Sequence, residues 1–414
     1  MRILFLNQYF PPDVSATAYL LGELAEDLAR HHEVWVVAGR PSYDPEVSTF
    51  RPQDVRIERP WSTRFAREGM AGRFANYGSF LFTSLFRAMR APRPDVVVAM
   101  TDPPVIGLIG LLVSRRFRCP FVYICEDIFP DVGVALKRVD NPLAVWLWRR
   151  LNWLVRREAD RIVAIGRDMR EKLIAERVPP DKVVFIPNWA NDGRVDETVR
   201  AETRRSMSWE GKFVVMHGGN VGLAQNLGVV IGAADLLQTR PAIQFVILGD
   251  GAARRRLQHE AERRALANVS FVSYRSKKEA QALLAAADLH TVTLAAGLWG
   301  CVVPSKIYGV MALGVPFVAA LEKGSEVDRI IEETGAGVRV EPTDTRGLAQ
   351  TIGEFVDGTR DVRLAGSRGR AEFEAKYTRQ IVTERYRQLL EVASEAQTMH
   401  QDGEARSEDG GAFV

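Results

Sequence analysis

The chain has few cysteines, no long apolar run and hardly any net charge. Its three cysteines, Cys119, Cys125 and Cys301, are scattered over 414 residues. Their number and spacing exclude a disulfide framework or a zinc-binding cysteine cluster and are typical of a reducing compartment. The longest apolar run, 103–113, is much shorter than the ~20 residues of a membrane-spanning helix. The apolar N-terminus is also too short for a signal peptide. We therefore expect a cytoplasmic protein.

Two further absences concern charge and metal ligands. The formal net charge is +3, so the composition predicts no general polyanion-binding surface and no nucleic-acid partner. The chain contains no Asp-x-Asp pair, which argues against an enzyme that holds a sugar nucleotide through a divalent cation. We expect no metal site and no cofactor.

Short apolar segments alternate with helical stretches, twice along the chain. Their continuous apolar character is typical of strands in a parallel sheet that is covered on both faces. Such alternation indicates a doubly wound α/β architecture. The predicted fold class is therefore α/β, with two Rossmann-like domains that face a cleft. The predicted strands are Ile3–Leu6, Val34–Ala38, Val96–Ala99, Phe121–Ile124, Ile162–Ile165, Phe213–His217, Gln244–Leu248, Val269–Phe271, His290–Thr293 and Pro316–Ala319.

The predicted domain boundaries follow changes in composition. A polar stretch near 188–211 separates the halves, so we assign 1–190 to the N-terminal domain and 191–375 to the C-terminal domain. We expect 376–395 to form a closing helix that packs back toward the N-terminal domain. The polar, glycine-containing segment 396–414 is predicted to be a disordered tail.

The segment Pro304–Pro316 is the strongest candidate for a ligand site. Ligands of open α/β sheets bind at the carboxyl ends of the strands. Here a turn carrying Ser305 and Lys306 leads into a short apolar helix that Gly314 ends. A hydroxyl, an ammonium and free backbone N–H groups at a helix N-terminus suit phosphate oxygens. The alternative interpretation is an ordinary loop-to-helix joint with a solvated lysine.

Three other loops of the second half carry small or acidic residues at predicted strand ends. Gly219, Asn220 and Gly222 precede a helix and favour a phosphate-cradling loop, although no Walker motif follows. Gly249 and Gly251 form a sharp turn that would let a nucleotide approach the backbone, or simply a glycine turn. Glu326 would accept two ribose hydroxyls, or it is a first-turn glutamate favoured by the helix dipole.

The strand ends of the first half carry carboxylates and prolines. Asp102, Glu126 and Asp127 suit sugar hydroxyls or general-base chemistry, and helix capping is the alternative for them. Pro12 and Ser15 lie in a stiff turn where small side chains would let a bound molecule approach. The alternative there is a tight turn in which Ser15 caps a helix. All five residues belong to the N-terminal side of the predicted cleft.

Two segments mix aromatic and aliphatic residues with arginines. They span 74–93 and 146–157, and their composition suits an interfacial amphipathic surface. We expect peripheral contact with an anionic membrane, at the inner face of the cytoplasmic membrane. The alternative is that both helices pack in the N-terminal core and leave their arginines in water.

Taken together, these segments resemble the family 4 glycosyltransferases of the GT-B fold. The resemblance covers about 1–390. Within the family, the chain is similar to the bacterial polysaccharide branch that includes fucosamine and colanic acid transferases. The segments that carry it are Gln8–Pro12, Glu126–Asp131, Gly218–Gly222, Leu248–Gly251 and Pro304–Pro316.

The resemblance implies a division of labour between the domains. The C-terminal domain would hold a nucleotide-diphosphate sugar, with Gly219, Asn220 and Gly222 facing the phosphates. Ser305 and Lys306 would contact the diphosphate. The N-terminal domain would hold the acceptor, with Pro12, Ser15, Asp102 and Glu126 on the acceptor side of the cleft. Asp127 would lie near the transferred sugar or the acceptor hydroxyl, and Asp127 and Lys306 would be the catalytic residues. Transfer would retain the anomeric configuration and need no metal.

The chain departs from the family pattern at two places. Many members carry two glutamates where this chain has Cys301 and Gly309, so we assign the ribose to Glu326 and the sugar to backbone groups of 300–303. Many relatives also place a lysine where this chain has Gln225-Asn226, so Lys306 would carry most of the positive charge.

The predicted function is transfer of a sugar, with retention of configuration, to a polyprenyl-linked or saccharide acceptor in cell-surface polysaccharide synthesis. The family resemblance implies that the donor is a UDP-sugar. One alternative is a nucleotide-sugar 2-epimerase of the same fold. The other is an inactive nucleotide-sugar-binding scaffold, which the missing glutamate pair leaves open.

Overall fold

The computed structural model contains two parallel β-sheets with helices on both faces. It describes residues 1–409 except 14, 42–49, 64, 66–69 and 274–275. The strands are β1 (Arg2–Asn7), β2 (Glu33–Ala38), β3 (Val55–Glu58), β4 (Val96–Ala99), β5 (Phe121–Cys125), β6 (Arg161–Ala164), β7 (Val183–Phe185), β8 (Phe213–Gly218), β9 (Ile243–Leu248), β10 (Val269–Val272), β11 (Leu289–Thr293), β12 (Phe317–Ala320) and β13 (Gly337–Val340).

The helices connect these strands and cover both sheets. They are α1 (Ala16–Ala29), α2 (Met70–Met89), α3 (Ile106–Phe117), α4 (Asp131–Ala135), α5 (Pro142–Glu158), α6 (Arg167–Ala175), α7 (Glu197–Ser206), α8 (Gly228–Leu236), α9 (Arg254–Arg263), α10 (Lys277–Ala285), α11 (Lys306–Leu313), α12 (Glu326–Thr334), α13 (Thr345–Val356), α14 (Val362–Lys376) and α15 (Arg379–Asp409). Among the helices of the described residues, none combines the length and apolarity needed to cross a membrane.

Both sheets are built from crossover connections. The N-terminal sheet has the order β3-β2-β1-β4-β5-β6-β7, and the C-terminal sheet has the order β10-β9-β8-β11-β12-β13. All paired strands are parallel. Parallel strands must be joined through covering helices, so both faces are buried, and central strands such as β4 and β5 are apolar at every position. The predicted fold class is confirmed.

All ten predicted strands are present, and three more are found at sheet edges. The additional strands are β3, β7 and β13. They are only three or four residues long and mostly half-buried. An edge strand is covered by fewer neighbours, so it lacks the continuous apolar run that identifies the central strands.

The last helix joins the two halves of the chain. From α15, Val382, Tyr386 and Leu390 pack among the apolar residues of β1 and β2. Arg379 forms ion pairs with Asp27 and Glu26 of α1. The helix continues through 396–409, where the sequence predicts a disordered tail. The disordered tail stays a prediction, and 410–414 lie outside the described residues.

The two domains share one continuous apolar core. Ile128 and Val132 of the N-terminal domain belong to the same buried cluster as Val303, Tyr308 and Met311 of the C-terminal domain. The carboxyl ends of both sheets therefore meet across a short gap, and the loops at these ends face each other.

Candidate active site in the interdomain cleft

Lys306 lies at the carboxyl end of the C-terminal sheet and contacts the end of β8. It is the first residue of α11, and its Nζ lies 2.9 Å from Nε2 and 3.2 Å from Nδ1 of His217. A Cβ atom on Gly219 would lie 3.9 Å from Cε of Lys306. The structure thus brings together the loop after β8 and the N-terminus of α11, which the sequence predicts as two parts of one phosphate site.

The N-terminus of α11 is a candidate anion site, although the N–H groups of Ile307 and Tyr308 already donate to the carbonyls of Pro304 and Ser305. Ser305 occupies the N-cap position, but its side chain makes no capping hydrogen bond. The first N–H groups of a helix lack intrahelical partners, and the helix dipole favours negative charge there. Burial lowers the pKa of Lys306 to about 7. An incoming phosphate would favour the charged form and raise that pKa again.

Gly249 and Gly251 support the loop after β8 from the neighbouring strand end. A Cβ on Gly249 would lie 1.9 Å from the carbonyl oxygen of Gly219, and one on Gly251 would lie 2.5 Å from that of Val221. Both glycines also have positive φ angles, 139° and 156°. Their observed role is close approach between two loops, which shapes the predicted donor loop from beneath.

Two other predicted donor residues differ in accessibility. Asn220 is exposed. The backbone N–H of Gly222 donates to Oε1 of Gln225 at 3.1 Å, so this N–H is already engaged within its own loop. Gly219, Ser305 and Lys306 are therefore the predicted donor residues that the structure brings together.

Three carboxyl groups gather at the carboxyl end of the N-terminal sheet. Asp102 follows β4, and Glu126 and Asp127 follow β5. Burial raises the pKa of Asp102 to about 6 and, together with neighbouring carboxylates, raises the pKa of Glu126 to about 7 and that of Asp127 to about 8. Nδ2 of Asn188 donates to Glu126 at 2.9 Å. The carboxyl groups that follow β4 and β5 are therefore close enough to affect one another's charge.

Buried oxygens next to these carboxyl groups have no hydrogen-bond partner in the described part of the chain. They are Oδ1 of Asn7, Oγ1 of Thr101 and Oδ1 of Asn188, and their side chains are almost fully buried. Buried polar atoms are normally paired. This edge is therefore rich in hydrogen-bond acceptors and suited to a ligand that supplies hydroxyl donors.

The two halves of the site touch directly at Asp127. Asp127 pairs with Val302 in an isolated antiparallel bridge, and the N–H of Ile128 donates to the carbonyl of Cys301 at 2.9 Å. The segment 301–302 leads straight into Ser305 and Lys306. The carboxylate cluster and the cationic helix end therefore line the same cleft.

Glu326, which the sequence predicts to hold the ribose, lies in the interface between the two domains. Its side chain is 1% exposed, and its carboxylate accepts hydrogen bonds from the backbone N–H of Arg167 at 2.8 Å and from Nε of Arg167 at 3.0 Å. Arg167 belongs to the N-terminal domain. Because both interactions bury the carboxylate in the domain interface, Glu326 has no free face for a ribose.

The backbone of 300–303, predicted to hold the sugar, is also partly engaged. The N–H of Gly300 donates to Asp168 Oδ2 at 3.2 Å, and the carbonyl of Cys301 accepts from Ile128. Asp168 is itself buried. These contacts tie the loop before α11 to the N-terminal domain, so they orient the segment that carries Lys306.

The structure gives Pro12 and Ser15 local roles. Oγ of Ser15 accepts from the N–H of Ala18 at 3.2 Å and caps α1, and Pro12 is buried. The hydroxyl of Ser15 therefore has the capping role of the alternative interpretation, and an acceptor-binding role of this turn stays a prediction.

Sequence reasoning missed His217, Arg167 and Asp168. His217 ends a predicted strand directly before two glycines, a position that could have identified it as a site residue. Arg167 and Asp168 follow β6, and their signal was the same carboxyl-end placement. Within the described ranges, no group of three or more His, Cys, Asp or Glu side chains has the arrangement of a metal site.

The fold and the paired loops define the class of this protein. Residues 16–189 match the glycosyl transferase 4-like domain, and residues 212–357 match the glycosyl transferases group 1 family. The chain belongs to the family 4 glycosyltransferases and is an enzyme of the GT-B fold. The resemblance predicted from the sequence is confirmed.

Two similar proteins and one similar structure accompany this family assignment. The chain is 31% identical to the probable glycosyltransferase WbjE of Pseudomonas aeruginosa, over 93% of this chain and 96% of the relative. It is 28% identical to WcaI of Escherichia coli K12, over 85% of this chain and 91% of the relative. WcaI is named a putative colanic acid biosynthesis glycosyl transferase. The structure of Anabaena HepE in complex with UDP-glucose has a TM-score of 0.74 at 20% identity and covers 95% of this chain and all of that one.

Proposed function

We propose that this enzyme transfers a sugar from a UDP-sugar to a hydroxyl group of a lipid-linked or saccharide acceptor, with retention of configuration, during bacterial polysaccharide synthesis. The observation that carries the proposal is the position of Lys306. It stands at a helix N-terminus beside Gly219 and opposite the carboxylate edge that holds Asp127. The names of WbjE, WcaI and HepE support the pathway and the donor.

The departure of the diphosphate is the step that Lys306 would assist. Negative charge grows on the leaving oxygens while the sugar ring gains oxocarbenium character. A fixed ammonium and the N–H dipoles at Ser305 and the start of α11 stabilise that growing charge without reorganising. The segment 301–302 holds the helix end at the cleft because it pairs with the loop of Asp127.

The acceptor would enter on the opposite side. Asp102, Glu126 and Asp127, with the unpartnered oxygens beside them, present hydrogen-bond acceptors to sugar hydroxyls. With a pKa of about 8, Asp127 is mostly protonated at neutral pH in the free enzyme. We infer that it orients the acceptor hydroxyl next to the donor carbon by hydrogen bonding.

A surface of the N-terminal domain supports peripheral membrane contact. Helix α3 packs against both α2 and α5. We use the name apolar-basic face for a set of nine exposed apolar and arginine side chains that lie on these three helices or directly after them. Its large apolar members include Phe82 and Trp146, which are 64% and 61% exposed. The apolar-basic face comprises Phe82, Phe86, Arg90, Leu112, Arg116, Leu143, Trp146, Leu147 and Arg150. Apolar side chains beside arginines suit the interface of an anionic bilayer.

Two measurements test the proposed function. A thermal-shift screen with UDP-, GDP- and ADP-sugars should show stabilisation by the true donor, because a ligand that binds only the folded state raises its stability. Transfer from that donor to lipid-linked saccharides should then fall at least about tenfold in Lys306→Ala, a loss of ~1.4 kcal/mol of transition-state stabilisation. Full activity in this variant would contradict the role of Lys306. Conversion of the sugar with no acceptor present would instead indicate the epimerase.

A further inference from the structure

His217 lies beneath the proposed diphosphate site and is almost completely buried. It is 1% exposed and stands near the end of β8, directly before Gly218 and Gly219. Its ring nitrogens lie 2.9 and 3.2 Å from Nζ of Lys306. His217 lies outside the segments that carry the family resemblance.

The chemistry of the neighbours determines the state of the ring. An ammonium can only donate hydrogen bonds, and a carbonyl oxygen can only accept them. Nε2 of His217 lies 3.4 Å from the carbonyl oxygen of Asn220 as well as near Lys306. A doubly protonated ring would have no lone pair to offer Lys306. In the neutral ring the lone pair and the N–H lie on different nitrogens, so Nδ1 can accept from the ammonium at 3.2 Å while Nε2 donates to the carbonyl oxygen of Asn220 at 3.4 Å.

The surroundings favour the neutral ring. Burial, and then the charge of Lys306, hold the pKa of His217 well below its usual value. His290 on β11 also faces His217, and burial lowers its pKa to about 4. Both rings are therefore neutral at physiological pH. Within the described residues, Lys306 is the cationic side chain that faces His217, and a bound diphosphate would favour its charged form.

The contact with His217 fixes the direction of the Lys306 side chain and still leaves N–H donors for a ligand. The ammonium has three N–H donors, and one hydrogen bond to His217 leaves two for phosphate oxygens. Gly219 lies next to the ammonium and adds no side chain there, since even a Cβ at this position would lie 4.0 Å from Nζ. A flexible four-carbon side chain is thereby held in one direction at the helix end.

We propose that His217 is a positioning residue, whose neutral ring accepts a hydrogen bond from Lys306 and directs the remaining N–H groups of the ammonium toward the leaving diphosphate. This inference rests on the proposed function, since it requires a diphosphate at Lys306. It deepens that proposal by assigning a second residue to recognition of the leaving group.

Calorimetric titration with UDP and with uridine tests the proposal. The ratio of the two affinities isolates the contribution of the diphosphate from that of the nucleoside. In His217→Leu, which removes the acceptor, we expect this ratio to fall about tenfold while uridine binding stays within twofold. In His217→Gln, whose amide oxygen accepts a hydrogen bond, we expect most of the ratio to return.

His290→Leu is the matched control, because it removes a second buried histidine whose ring bonds the carbonyl of Leu284 instead of Lys306. It should leave the ratio unchanged. An unchanged ratio in His217→Leu, or equal losses in His217→Leu and His290→Leu, would overturn the proposal. If the wild-type enzyme binds neither UDP nor another nucleoside diphosphate, the proposed donor site itself fails, which is a distinct result.

Discussion

Arg167 and Glu326 form a buried ion pair that joins the two domains. The backbone N–H and the Nε of Arg167 both donate to Oε2 of Glu326, at 2.8 and 3.0 Å. Arg167, on α6, also pairs with Glu333, which lies on α12 with Glu326. A further pair joins Arg329 of α12 to Glu171 of α6. The cleft is therefore bridged by charged contacts of α6 and α12, next to the loops that carry the proposed chemistry.

Glu326→Gln should destabilise the protein without weakening nucleotide binding. Loss of the carboxylate removes one of the two ionic partners that Arg167 has among the described residues, Glu326 and Glu333. We expect about 1–3 kcal/mol less stability. Thermal or urea unfolding measures that loss. UDP affinity should change less than about twofold, because Glu326 faces Arg167. A selective loss of UDP binding, with stability unchanged, would restore the ribose role that the sequence predicts.

Gly249→Ala should damage the donor loop. The added Cβ would lie 1.9 Å from the carbonyl oxygen of Gly219, and the residue has a φ of 139°. We expect a destabilisation of about 2–4 kcal/mol from overpacking and backbone strain, together with loss of nucleotide binding. Unfolding and UDP titration measure both effects.

Gly78→Ala is the control for that substitution. Gly78 is an exposed residue inside α2, and its Cβ would meet no atom within 4 Å. Here alanine should stabilise the helix by roughly 0.5–1 kcal/mol. Equal tolerance of both substitutions would show that the two loops do not need their close contact.

UDP affinity should fall as pH rises from 7 to 8.5. The pKa of Lys306 in the free enzyme is about 7, so above this pH the neutral amine dominates, and binding of the diphosphate must be coupled to uptake of a proton. The decrease approaches tenfold per pH unit well above the pKa. Calorimetry with UDP, and with uridine as the nucleoside control, measures it.

Lys306→Arg should remove this pH dependence, because a guanidinium stays charged throughout the range. The measured quantity is the change of the UDP-to-uridine affinity ratio with pH, and not the absolute affinity of the Lys306→Arg variant for UDP. A wild-type enzyme whose UDP-to-uridine affinity ratio is constant from pH 7 to 8.5 would contradict the proposed contact between Lys306 and the diphosphate.

Trp146→Glu should weaken binding to anionic liposomes. Trp146 belongs to the apolar-basic face, and a carboxylate there removes apolar contact and adds repulsion. We expect at least about a fivefold loss in sedimentation with the liposomes at low salt. Leu236→Glu is the matched control, since Leu236 is 52% exposed on α8 of the C-terminal domain. Equal losses in both variants, or no binding by the wild type, would argue against this face as a membrane contact.

The hydrophobic pattern predicts the central architecture well. Strands such as β4 and β5 are buried on both faces, so their sequences are continuously apolar and can be identified without a structure. The placement of Lys306 at a strand-end helix also follows from local signals, because Pro304 and Gly314 mark where that helix begins and ends.

The sequence by itself determined the fold class, the family and the loops that form the site, because these depend on local hydrophobicity, turn chemistry and motifs. Only the tertiary structure decided which side chains within those loops are free. It placed Glu326 against Arg167, 159 positions away in the chain, and His217 against Lys306, 89 positions away. Such pairings arise from how two domains and two strand ends meet in space, and no local pattern encodes that distance.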